Sequence, residues 1–219
     1  AWFRRCPSEQ EVFEGRTFLR FWSLGAICGL LGLGAAALFA AGGRELAWVG
    51  RDPTSDQAFM RHMSTHHEQG ILLASIAAER AGDPHLRALS KLMVASQKGE
   101  ARIFTHWWAN WFGEPMQICS AEEKAAMPGL LDTAAVAKLQ STAAASFDSL
   151  FVELMTEHHK GAVAMADWEL HQGTDPRLRL MAHAIRHEQQ GEIALMRGMH
   201  GAFAVSLAFQ NMFADNVNP

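Results

Sequence analysis

Two copies of one short pattern carry the residues best suited to chemistry. Met63-x-x-His66-His67 and Met155-x-x-His158-His159 place a methionine and two histidines at i, i+3 and i+4, so on a helix the sulfur and at least one ring share a face. Gln97-x-x-Glu100 and Gln189-x-x-Glu192 do the same for an amide and a carboxylate. Thioether with imidazole suits copper, Cu(I) above all, whereas Glu100 and Glu192 offer harder ligands or hydrogen-bond partners for a ligating ring. Met165, seven residues after His158, extends the face of the second copy. The predicted ligand set is Met63, His66, His67, Glu100, Met155, His158, His159, Met165 and Glu192. The competing reading pairs the histidines with Glu100 and Glu192 in a polar core layer and leaves the methionines as filler. His183 with His187, and Met116 with Cys119, are weaker single-spacing candidates.

The elements that must position these residues follow from the repeat. At an offset of 92 residues, Asp56 pairs with Asp148, Phe59 with Phe151, Met63 with Met155, Asp83-Pro84 with Asp175-Pro176, Gln97 with Gln189 and Glu100 with Glu192. Apolar residues recur at three and four within each copy, and each Asp-Pro supplies an N-cap and an N1 proline. Each copy therefore reads as a helical hairpin, with helices expected over 54–81, 84–112, 146–172 and 176–200 and a short helical run near Thr133 to Gln140 in the connection. Four such helices predict an all-α up-down bundle, with repeats over 56–112 and 148–200. Counting at about 1.5 Å per residue puts His66 and Glu100 at one height, so all four motifs converge on one layer. No Glu-x-x-His occurs in the chain, which argues against a di-iron carboxylate centre.

The 219 residues are 49% hydrophobic and 19% charged with a formal net charge of −4, which disfavours a disordered chain and gives no footing for nucleic acid. All 11 Met and all 11 His follow residue 51, so the N-terminal part has a different task. No charge interrupts residues 21–43, long enough as a helix to cross a bilayer. Arg4, Arg5, Arg16 and Arg20 precede it, so the expectation is a cytoplasmic segment 1–20, a single transmembrane helix 21–43, an extracytoplasmic bundle 54–200 and a tail 201–219 in a bacterial cell membrane. A cleaved signal peptide ending at Ala35-Ala36-Ala37 is the alternative, with an apolar run long for that role. Besides the lipid bilayer, a transmembrane partner is expected on the small-residue face formed by Gly25, Gly29, Gly32 and Ala36. Three cysteines in unlike contexts give no disulfide framework.

The pattern D-x-x-F-x-x-x-M-x-x-H-H, then Asp-Pro, then Q-x-x-E, twice over, resembles the bacterial ferritin-like family known as domain of unknown function three hundred and five, which includes CopM-like copper-binding proteins. The resemblance covers roughly residues 54–200 and is closest over Phe147 to Ala166. It implies a four-helix bundle outside the cytoplasm, a role in copper binding or tolerance, and no established catalysis. Leu73 and Phe104 stand where that pattern offers methionine, which implies a poorer first copy. Two functions follow as expectations: a membrane-anchored copper-binding protein that is not an enzyme, or a non-catalytic accessory subunit of a membrane complex such as a respiratory assembly.

Overall fold

The computed structural model describes residues 27–35 and 52–198. Residues 27–35 are helical (α1), and the rest of the expected membrane span, Gly25 and Ala36 included, lies outside the described residues, as do segment 1–20 and the tail 201–219. Among the described residues no helix is long and apolar enough to cross a membrane.

All regular structure over residues 52–198 is helical: α2 (Thr54–Arg80), α3 (Pro84–Phe112), α4 (Ala121–Ala126), α5 (Thr133–Ser141), α6 (Ala144–Gln172) and α7 (Pro176–Met196). α2 pairs with α3 and α6 with α7, and the two hairpins pack α2 on α6 and α3 on α7. The Asp-Pro starts behave as their chemistry dictates. Asp83 accepts the His85 N–H and Asp175 the Arg177 N–H, while the following proline occupies a position whose N–H would have no helical acceptor. α7 ends at Met196 rather than at 200, because Gly198 takes the left-handed region (φ 81°) and stops the helix. α6 starts at Ala144, two residues before the expected 146.

The core is divided along every long helix. Phe59, Met63, Phe104, Trp108, Met165 and Ile185 belong to one buried apolar cluster. Leu73, Met93, Phe147, Phe151, Met155 and Met196 belong to another. Between them each helix carries a buried polar step: His66 and His67 on α2, Gln97 and Glu100 on α3, His158 and His159 on α6, Gln189 and Glu192 on α7. Each large apolar side chain buried above or below this layer contributes about 1.5–3 kcal/mol, which is what can hold so polar a layer in place. The tryptophans closing α3 pack inward, Trp108 and Trp111 being buried and Trp107 stacked on Trp111 at 5.1 Å.

The hairpins also clasp one another through their first repeated residue. Asp56, fully buried, accepts the Thr174 N–H (2.8 Å), the Thr174 hydroxyl (2.7 Å) and the Asp175 N–H (3.3 Å) at the turn of the second hairpin. Asp148, its counterpart, accepts the Gly82 and Asp83 N–H groups (2.9 and 2.8 Å) at the turn of the first. The connection between hairpins is tied to α2, where the Gln69 amide exchanges two bonds with the Leu131 backbone and Arg80 donates to the Leu139, Gln140 and Thr142 carbonyls.

Candidate metal centre

The polar layer has a two-fold pattern that follows the repeat. His67 Nε2 lies 2.7 Å from Glu100 Oε2, and His159 Nε2 lies 2.7 Å from Glu192 Oε2. His66 and His158, equivalent positions in the two copies, stack with ring centroids 3.8 Å apart and planes tilted 32°. His158 Nε2 donates to the His66 carbonyl at 3.1 Å. All four histidines are fully buried.

These bonds bear on which ring nitrogen remains. Where Nε2 donates, as His158 does to the His66 carbonyl or a ring does to an ionised glutamate, Nδ1 carries the lone pair, whereas a protonated Glu192 donates to His159 Nε2 and leaves the ring proton on Nδ1 until a metal displaces it. Nδ1 of His66, His67, His158 and His159 has no hydrogen-bond partner among the described residues, nor has Nε2 of His66, whose ring the Pro128 carbonyl faces without bonding geometry. The Gln97 and Gln189 amides, 1% exposed, likewise lack partners among the described residues. A buried polar group left in that condition costs about 1–3 kcal/mol, so the layer is an expensive way to build a core. A histidine ligand held through its other nitrogen by a carboxylate or carbonyl is the usual arrangement around a bound metal. The donor set fits a borderline transition metal, copper among them, on that ground: imidazole nitrogens fixed from behind within one buried layer.

Electrostatics keep the imidazoles neutral. Burial holds the His66 and His158 imidazoles well below the usual histidine range, with His158 adding to the effect on His66 and His159 to that on His158. Burial, then His67, lowers His159 to about 3. Burial, then the Glu100 carboxylate, pushes Glu192 up to about 8 against the pull of His67, so Glu100, Glu192 and His67 share one electrostatic neighbourhood. Glu188 beside them is raised to about 7, chiefly by burial.

Close packing fixes the layer from outside. A Cβ on Gly70 would collide with Gln97 Oε1 and lie 2.9 Å from His158 Cε1, so only glycine lets both side chains lie against the α2 backbone. Gly129 (φ 71°) lies against the Glu157 and His158 carbonyls, and a Cβ on Gly161 would collide with the Pro128 carbonyl. The connection thus covers α6 where its histidines sit.

Of the predicted ligands, Glu100 and Glu192 sit behind His67 and His159, Met63 and Met165 lie in one apolar cluster, and Met155 lies in the other. No three of the layer's histidine and carboxylate ligand atoms fall within 4.8 Å of one another, the trio that does so among the described residues being His62, Cys119 and Glu123. That trio was missed at the sequence level, where Cys119 was paired with Met116 instead. Its one sequence signal was Ser120-x-x-Glu123, a capping box that forms in full at the start of α4 and sets Glu123 three residues into a helix beside Cys119. His183 and His187 bring their Nε2 atoms to 3.2 Å, as i, i+4 spacing allows.

Two helical hairpins with a duplicated histidine, glutamine and glutamate layer define a helical protein built around a buried donor set. The chain belongs to the DUF305 family, domain of unknown function, whose pattern it matches over residues 56–200. It is similar to a DUF305 fragment from Deinococcus radiodurans at 32% identity, covering 66% of this chain and 93% of that one with a TM-score of 0.60. A DUF305 protein of Streptomyces coelicolor, provisionally described as secreted, is 28% identical over 65% of this chain and 88% of its own, with a TM-score of 0.59. CopM in its Cu(II)-bound form is 25% identical over 65% of this chain and 93% of its own, with a TM-score of 0.56. None of the curated proteins compared with the chain matches it.

Proposed function

We propose that this protein binds copper, for sequestration or tolerance, in a ferritin-like up-down bundle held outside the cytoplasm, and that it catalyses no reaction. One observation carries the reading: four fully buried histidines whose Nδ1 atoms have no partner among the described residues. The likeness to Cu(II)-bound CopM supports the metal, and the secreted description of the Streptomyces relative supports the compartment. His66, His67, His158 and His159 are the ligands in this reading, with Met63, Met155 and Met165 as the soft donors nearest in sequence, and Glu100 and Glu192 orient rings rather than ligate.

A membrane anchor over 21–43 belongs to the same proposal. Its support is that the described part of that run is helical, exposes Leu30, Leu31 and Leu33, and leaves open space beside Gly29 and Gly32. A face of that kind accepts lipid or a second helix. A non-catalytic accessory role in a membrane complex is the reading this face favours, and it is compatible with retained copper.

The test is competition titration of the full chain with Cu(I) and with Cu(II), beside a variant in which His66, His67, His158 and His159 are changed to Ala. The expected result is that the parent binds at least one tight equivalent more than a folded variant does. Equal stoichiometry in both, or no uptake by the parent, refutes copper binding by the histidine layer and leaves that layer as scaffold.

A further inference from the structure

The His62, Cys119 and Glu123 trio stands apart from the repeated layer. The residue equivalent to His62 in the second copy is Leu154, and Cys119 and Glu123 lie in the connection, so nothing in the duplicated pattern accounts for this cluster. Its imidazole nitrogen, sulfur and carboxylate oxygen lie within 4.8 Å of one another. Three separate elements deliver them: α2, the segment after α3, and the first turn of α4.

The carboxylate is fixed by its neighbours, while the ring and the thiol are held without being used up. Arg61 grips Glu123 through Nη2 at 3.0 and 2.9 Å, and the Ser120 N–H donates to Glu123 Oε2 at 2.6 Å, which fixes the carboxylate. His62 Nε2 is 3.5 Å from Glu123 Oε1, the far limit of a hydrogen bond, so its ring keeps a free hand for a ligand. Cys119 is a free thiol, 4% exposed, held only by a weak bond to the Arg61 carbonyl at 3.5 Å. His62 and Glu123, though not the buried Cys119, also line a cleft of about 450 Å³ whose wall includes Met127, Pro128 and Met165, so two thioethers border the His62 side of the site.

Charge and softness select the ion. A Cys119 thiolate and the Glu123 carboxylate carry two negative charges and the Arg61 guanidinium one positive, leaving a single negative charge that a monovalent cation neutralises. Thiolate, imidazole and neighbouring thioether are soft or borderline donors. We propose that His62, Cys119 and Glu123 form a second, outer metal site that binds Cu(I) through the Cys119 sulfur and the His62 ring, with Glu123 holding the ring and balancing the charge. On binding, the Cys119 S–H bond breaks, an S–Cu bond forms and the proton passes to solvent, with no change of oxidation state. The inference does not depend on the histidine layer, which lacks sulfur from cysteine.

The test uses the full chain with Cys6→Ser and Cys28→Ser, so that Cys119 is the one thiol of the three. Cu(I) is titrated anaerobically against a chromogenic Cu(I) chelator while the ultraviolet thiolate-to-copper charge-transfer absorption is followed, with Zn(II) in a parallel arm. The expected result is an absorption that saturates at one equivalent of Cu(I), vanishes in Cys119→Ser and needs at least tenfold more free Cu(I) in His62→Ala. It persists when His66, His67, His158 and His159 are changed to Ala, provided circular dichroism shows that variant folded, which separates this site from the layer. Absence of the absorption in the Cys119-only chain overturns the proposal, as does an unchanged affinity in His62→Ala. Preference for Zn(II) over Cu(I) overturns it too, by contradicting the charge argument.

Discussion

Replacing His66 by Leu separates a layer built for binding from one built for folding. His66 is fully buried, stacks on His158, and has neither ring nitrogen in a hydrogen bond among the described residues. Two unsatisfied nitrogens at about 1–3 kcal/mol each are relieved by an apolar side chain of similar size, while an imperfect change of shape takes back about 1–1.5 kcal/mol. The net expectation is a gain of about 2 kcal/mol, a rise of roughly 4–8 °C in Tm for a chain of this size. Copper favours the parent instead. At free copper one hundred times Kd the parent gains about 2.7 kcal/mol, and His66→Leu, short of a ligand, gains much less. Differential scanning calorimetry of both proteins with and without copper reads all four values. A metal-free His66→Leu protein that melts below the parent, together with an intact copper-dependent rise, would refute the reasoning, because the ring would then be a structural member.

Three other outcomes are expected. Asp56→Ala removes a fully buried side chain that accepts three hydrogen bonds and costs about 3–5 kcal/mol in urea unfolding, whereas Asp148→Ala removes a half-buried one that accepts two and costs about 1–2 kcal/mol; equal losses would contradict the difference in burial. Glu192→Gln weakens copper binding about 10–100-fold by loosening the His159 ring, read by the same chelator competition, and an unchanged affinity would remove Glu192 from any role behind that ring. Metal-free stability peaks near pH 6.5. As pH falls from 8, Glu192 and then Glu188 hold protons that the unfolded chain lacks, so stability rises; below about 6.5 the unfolded chain protonates three imidazoles, those of His66, His158 and His159, that the fold keeps neutral. Three imidazoles outweigh two carboxyls, so stability then drops by about 1.4 kcal/mol per pH unit for each uncompensated proton. A monotonic rise in urea midpoint between pH 8 and pH 5 would exclude this balance.

Much of the arrangement was legible in the residues because the determinants are local. Asp83-Pro84 and Asp175-Pro176 mark helix starts without reference to anything distant, and a gapless offset of 92 forces equivalent positions to equal heights. What periodicity leaves open is which of two adjacent histidines meets a carboxylate, since neighbours on a helix point about 100° apart. The crossing of α2 and α6 decides it, sending His66 onto His158 and leaving His67 for Glu100. α4 was within reach through Ser120-x-x-Glu123 but is a single capped turn and a half with no apolar periodicity. The approach of Cys119 to His62 was not readable, because the path of the connection rests on Arg61, Gln69 and Arg80 side chains reaching backbone carbonyls and Glu123 about 60 residues away in sequence.

The crossed aspartates have a consequence for how such a chain arises. Asp56 holds the second turn and Asp148 the first, so each half lacks the group that closes its own end and supplies the one its neighbour needs. Surfaces that complete each other in this reciprocal way are those of a symmetric pair of identical subunits. The present chain is the covalent form of such a pair, two hairpins tethered by a connection, and the tether frees the halves to diverge. Leu73 and Phe104 in the first half where the second has Met165 and Met196, and a cysteine placed in the tether itself, are asymmetries that a true two-fold assembly of single hairpins could never hold.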